Sequence, residues 1–164
     1  MPFTPFHLGP ALLLGLILYN YLDFPTFMIA NVIIDVEPFI ILTMGLNLPL
    51  HGFFHSFIGG TIISFTLTLV MLRIRKSLEF LLRFFNLEQS WSQKSIVASA
   101  LSGVYLHIVL DSRLYTDIKP FFPSIWNPFF SDSMFSGFEV YGFCVLSALA
   151  GIILFIYKII KARK

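Results

Sequence analysis

Residues 52–72 read Gly52-Phe53-Phe54-His55-Ser56-Phe57-Ile58-Gly59-Gly60-Thr61-Ile62-Ile63-Ser64-Phe65-Thr66-Leu67-Thr68-Leu69-Val70-Met71-Leu72. After His55 no ionisable side chain occurs until Arg73, and the run has the length and apolarity of a membrane-crossing helix. The rest of the chain has the same character. Hydrophobic residues make up 57% of the 164 positions and charged residues 12%, about half the charge of a soluble domain. Mean hydropathy is +0.83. The bilayer is therefore the relevant solvent, and the length suits one helical domain over residues 1–164.

Four more apolar stretches flank this one. Leu8–Leu22 is short for a span and is broken by Asp23-Phe24-Pro25. A second stretch begins near Thr26 and runs through Asp35, with Pro38 expected to disturb or end it. The others are Ser95–Leu110 and Phe138–Tyr157. Between the third and fourth spans, residues 73–94 place Leu78, Leu81, Leu82 and Phe85 at helical spacing, with Glu79 and Arg83 as an i, i+4 pair opposite. That is the pattern of an amphipathic helix in the interface. The expected fold is an all-α polytopic membrane bundle of about five embedded helices and one interfacial helix.

Lysine and arginine set the orientation. Arg73, Arg75, Lys76, Arg83 and Lys94 lie between spans three and four, and Lys158, Lys161, Arg163 and Lys164 follow span five. Only Arg113 and Lys119 occupy the loop 111–137. The positive-inside rule then makes 73–94 and the C-terminus cytoplasmic, and the N-terminus and 111–137 external. The N-terminus lacks a basic region and a small-residue cleavage site, so no cleaved signal peptide is expected. Cys144, alone in an apolar run, reads as an inert buried thiol. No nucleic-acid-binding signature occurs; the expected surroundings are the lipid bilayer and, as further partners, subunits of a membrane complex.

Against this background the ionisable residues stand out. His7, Asp35, Glu37, His51, His55, His107 and Asp111 all fall at the outer ends of the predicted spans, where intramembrane ionisable groups mark sites with partners. His51 with His55, and His107 with Asp111, have the i, i+4 spacing that can put two donors on one helix face. Imidazoles with carboxylates suit zinc, and also manganese. His7, Asp35, His51, His55, His107 and Asp111 are the candidate metal ligands, His55 equally a group behind the ligands. Glu37 is the candidate general base, with ligand or second-shell partner as its alternatives. Asp23 is expected at the opposite end and is set aside, and nothing in the spacing of Asp117, Asp132 or Glu139 singles them out. The aromatic and Pro-rich loop, with Tyr115 and Trp126, reads as an interfacial belt or as a lid over the site.

The ordered set of His7, Asp35-x-Glu37, His51-x-x-x-His55 and His107-x-x-x-Asp111 resembles a prokaryotic family of membrane-bound metal-dependent hydrolases that includes the LexA-regulated inner-membrane hydrolases. The resemblance covers the chain to about residue 111. The family block commonly reads His-Arg-Gly-x-Thr-His-Ser; here His51-Gly52-Phe53-Phe54-His55-Ser56 lacks the arginine and threonine, so the resemblance supplies no anion-binding group at that point. More remotely, the family is similar to the zinc-dependent phospholipase C and P1 nuclease group. That likeness implies Asp35, His51, His107 and Asp111 around one metal and His7 near a second, in a mono- or dinuclear site. The implied activity is hydrolysis of a phosphoester or lipid-like, amphiphilic substrate at the outer face. The alternatives are a non-catalytic accessory subunit retaining a metal site, and a metal transporter.

The orientation is checked by cysteine labelling in intact cells. A Ser124→Cys variant should react with an impermeant maleimide from outside, and Ser90→Cys only after permeabilisation; the reverse pattern overturns the assignment.

Overall fold

A computed structural model describes residues 4–162, and among these the regular elements are all helical. The helices are α1 (Leu8–Ile17), α2 (Phe24–Ala30), α3 (Val36–Thr43), α4 (Phe57–Ile74), α5 (Glu79–Phe84), α6 (Gln93–Ser112) and α7 (Ser136–Ala162), with short 3-10 turns at Thr4–Phe6, Ile33–Asp35 and Phe53–His55. Four helical runs are long and apolar enough to cross a membrane: Phe24–Thr43, Phe57–Ile74, Gln93–Ser112 and Ser136–Lys161. Helix α1, with 10 residues, reaches only about 15 Å, half of a hydrocarbon core. Helix α7 carries Phe138, Leu146, Leu149, Ile153 and Ile156 at least half exposed, an apolar face suited to lipid and costly in water.

Helix α6 organises the bundle. Its buried residues Ile96, Ser99, Ala100, Gly103, Val104, His107, Ile108 and Asp111 recur every three to four positions and form one continuous face. Helix α4 packs antiparallel on this face, with Ser64 Oγ donating to the Ala100 carbonyl at 3.1 Å and Thr61 bonded to Tyr105 at 2.6 Å. Helix α2 packs parallel to α6. Asp23 N donates to Ser99 Oγ and the Asn31 carbonyl meets His107, the same offset of 76 residues in both contacts. Gly103 permits this approach: a Cβ there would lie 2.5 Å from Ala30 Cβ. Helix α1 lies against α2 and α7.

Several boundaries differ from the sequence reading. Pro38 does not end the second span. It occupies the first turn of α3, where a proline's missing N–H costs nothing. The interruption comes earlier, at Asn31–Val32, between α2 and the Ile33–Asp35 turn. Helix α4 begins at Phe57 and not at Gly52, because Ser56 adopts an extended backbone and caps the helix through Oγ to Gly59 N at 3.1 Å. The amphipathic connection is helical only over Glu79–Phe84. Of its apolar positions Leu82 is buried, while Leu81 and Phe85 are exposed. The Glu79–Arg83 pair is not formed: Arg83 Nε faces Glu88 at 3.5 Å, and Glu79 accepts from Trp91 Nε1.

Asp23, expected at the end opposite the histidines, and Arg75, counted among the cytoplasmic cations, are both completely buried. Arg75 Nε donates to Asp23 Oδ1 at 2.5 Å, and Asp23 Oδ2 accepts from the backbone and hydroxyl of Thr26. Gln89 closes this end by donating to the Tyr19 and Leu22 carbonyls and accepting from Phe24 N. The guanidinium also lies 5.7 Å from the centre of the Trp91 ring. Removing one partner of a buried ion pair leaves an uncompensated charge, so Arg75→Met should cost about 3–5 kcal/mol. Adding Asp23→Asn should return most of that loss. Thermal unfolding in detergent micelles checks both; additive losses would mean that the two groups do not stabilise one another.

Candidate metal centre

The second polar island lies at the other end of α6. His107 follows Ser99 by two turns, about 12 Å along the axis, and Asp111 follows one turn later on the same face. Asp35 arrives from the end of the 3-10 turn after α2, and His55 from the end of the turn before α4. Ligand atoms of Asp35, His55, His107 and Asp111 all lie within 4.8 Å of one another, and all four residues are buried. His107 Nε2 is 3.3 Å from Asp35 Oδ1 and 3.2 Å from Asp111 Oδ2. His55 Nε2 is 4.0 Å from Asp35 Oδ1. His7, just before α1, stacks on the His107 ring at 3.9 Å and brings its Nε2 to 3.1 Å from Asp111 Oδ1, out of hydrogen-bond alignment.

The far nitrogens of three histidines are held from behind. His107 Nδ1 lies 2.7 Å from the Asn31 carbonyl, which can only accept, so the ring carries a proton on Nδ1 and directs Nε2 to the cluster. The break after α2 is what frees that carbonyl, because the last carbonyls of a helix have no partner within it. His55 Nδ1 faces Glu37 Oε2 at 2.9 Å. His51 Nδ1 lies 3.0 Å from each carboxylate oxygen of Asp117, and its ring packs on Tyr115 at 4.5 Å. The Nε2 atoms of His51, His55 and His107 are all buried without a hydrogen bond.

Lone-pair nitrogens and carboxylate oxygens crowded together away from water repel one another unless a cation or protons lie between them. Histidines with one nitrogen held from behind and the other free are the usual arrangement around a metal. The residues present therefore fit a divalent cation, on the orphaned imidazole nitrogens and on the donor chemistry.

The outcome for each expected residue follows from this geometry. His107 and Asp111 share a helix face as predicted. His51 and His55 do not share one, since Gly52 to Ser56 form a turn and not a helix. His55 joins the tight group, while His51 stands outside it with its ring 4.8 Å from that of His55. Glu37 lies behind His55, and its carboxylate also accepts from Gly52 N at 3.2 Å and Phe54 N at 3.5 Å. A Cβ on Gly52 would fall 2.5 Å from Glu37 Oε1, so a larger residue there would displace the Glu37 carboxylate from its place behind His55. Glu139 pairs with Arg113. Sequence reasoning missed Asn31 and gave Asp117 no role. Asn31 could have been noticed as a polar residue one helical turn before Asp35; Asp117 carried no such signal.

No known protein family, curated protein or solved structure matches the chain.

Metal content separates the cluster from its surroundings. Asp111→Ala should lose the bound ion, because Asp111 lies against both His7 and His107. Asp117→Ala, which touches only His51, should retain it. Elemental analysis of the purified proteins checks this, and equal content in wild type and Asp111→Ala would remove the central claim.

Proposed function

We propose that the protein is a membrane-embedded metal-dependent hydrolase acting on a phosphoester or lipid-like substrate at the outer face. The observation that carries the reading is the convergence of buried, hydrogen-bond-free Nε2 atoms on Asp35 and Asp111, with the far nitrogens already held. The motif order that resembles the membrane-bound hydrolase family supports the same reading. So does the placement of the cluster at the end of the bundle away from most lysines and arginines.

Asp35, His55, His107 and Asp111 would hold the ion, with His7 beside Asp111 as a further donor. Zinc suits this nitrogen and oxygen set, as one or two ions, and manganese is the alternative. When bound, such an ion supplies an acidified water and polarises the scissile oxygen. The protein's own part is positional. The Asn31 carbonyl and the Glu37 carboxylate fix the tautomers and ring orientations of His107 and His55. Glu37, with both oxygens engaged behind His55, is better placed to orient that ligand than to accept a proton from water.

The near-complete burial of the four residues favours a second reading, a closed structural site in an accessory subunit of a membrane complex. A transport pathway finds no support: between the two polar islands α6 presents Ala100, Gly103 and Val104, packed against neighbours with Gly103 on Ala30.

The Glu37→Gln variant tests the assignment. If Glu37 orients His55, metal affinity should fall about 10- to 100-fold with the fold retained; undiminished affinity with loss of hydrolysis would make Glu37 the base instead. A zinc-loaded wild type that cleaves no aryl phosphodiester, combined with loss of stability in His107→Ala, would sink the hydrolase reading in favour of the structural one.

A further inference from the structure

A cavity of about 170 Å³ opens beside the cluster, lined by Pro49, His51, Gly52, Phe53, Asp117, Lys119 and Phe122. His51 lines it, and the His51 ring lies 4.8 Å from that of His55. The cavity lining holds one carboxylate and one ammonium, differently engaged. Asp117 directs both carboxylate oxygens to the His51 ring and accepts the His51 backbone N–H at 3.3 Å. Lys119 is exposed and forms no ion pair among the described residues. The other cation of the loop, Arg113, is matched by Glu139. The cavity thus holds one ammonium without an ion pair, beside a carboxylate that is taken up by the N–H groups of His51.

The rim is apolar. Phe53 and Phe122 meet edge to face at 5.6 Å, and each leaves about two-fifths of its surface open (39% and 41%). The volume is below the roughly 300–1,000 Å³ that encloses a drug-sized ligand, so the cavity takes a small polar group and leaves the remainder of a larger molecule on the rim.

We infer that this cavity is the head-group subsite of the centre, that it binds the phosphate-bearing head of an anionic amphiphile, and that Lys119 pairs with the phosphate while Phe53 and Phe122 carry the first part of the apolar tail. The inference rests on the hydrolase reading for its consequence, since a head group seated against His51 lies next to the metal ligands. Two sources share the phosphate chemistry, a lipid head and a free phosphate, and the rim favours the lipid.

Calorimetry on the protein in phosphatidylcholine nanodiscs tests it, with dihexanoyl phosphatidic acid and inorganic phosphate as probes. Wild type should bind the amphiphile more tightly than phosphate. Losing the charge-assisted contact in Lys119→Glu should weaken both by about tenfold or more, with metal content unchanged and Lys94→Glu behaving as wild type. Phe122→Ser should weaken the amphiphile alone. Unchanged affinity in Lys119→Glu overturns the subsite. Equal binding of the two probes, indifferent to Phe122→Ser, overturns the lipid assignment in favour of free phosphate. Because binding is read without turnover, the two readings fail separately. Lys119-dependent binding in a protein that hydrolyses nothing keeps the subsite and removes the hydrolase; hydrolysis with a KM indifferent to Lys119→Glu does the reverse.

Discussion

Two carboxylates and two imidazoles share a space less than 5 Å across, and all four residues are buried. That crowding is the constraint on which the rest of this end of the molecule depends. Brought together without compensation, such groups would push the helices apart, since a buried polar group without a partner is costly and a buried charge far more so. The fold answers with directed contacts behind the ring of donors. One is a peptide carbonyl for His107, and the other is a carboxylate for His55 that is itself tied to the backbone of residues 52 and 54. Each orients a ring so that its other nitrogen faces inward, where a cation or protons relieve the crowding. On the metal-centre reading proposed above, metal affinity and bundle stability would be the same free energy seen from two sides.

The opposite end is organised by a different buried charge pair. Asp23 and Arg75 neutralise each other directly, and Thr26, Ser99, Gln89 and Trp91 surround them. Because α2 and α6 bear on both islands at one constant offset, the pair of helices acts as a ruler. The hydrogen bond from Asp23 N to Ser99 Oγ fixes where α2 starts relative to α6, and this fixes where Asn31 meets His107. The close contact of Gly103 with Ala30 holds the two helices together between the islands.

What could be read from the sequence divides along the same physical lines. His107 and Asp111 were legible because one regular helix carries both, and helical period alone sets their relation. The His51–His55 spacing is identical on paper, yet the extended backbone at Ser56 and the turn at 53–55 place the two rings by tertiary contact instead. Arg75 read as a flanking charge because the positive-inside rule counts cations without asking which are buried; its partner is 52 residues away. Asp117 was invisible for a similar reason, 66 residues from the histidine it supports. The apolar spans themselves were plain, since bilayer thickness imposes a length that composition reveals directly. Their exact ends were not, because capping by Ser56 and the tolerance of Pro38 in a first turn are local effects that hydropathy averages away.

The acceptor behind His107 is a main-chain oxygen, and this shapes how the site responds to change. No exchange of the residue 31 side chain can delete it, so the hydrogen bond is shielded from point mutation in a way that Glu37 and Asp117 are not. A genetic scan would therefore score position 31 only for how its side chain packs and bonds to Phe27, and would overlook its share in the centre. Conversely, changes that heal the helix break after Ala30 would draw that oxygen back into a continuous helix. They would dismantle the centre from a distance, while every presumed ligand stayed in the sequence.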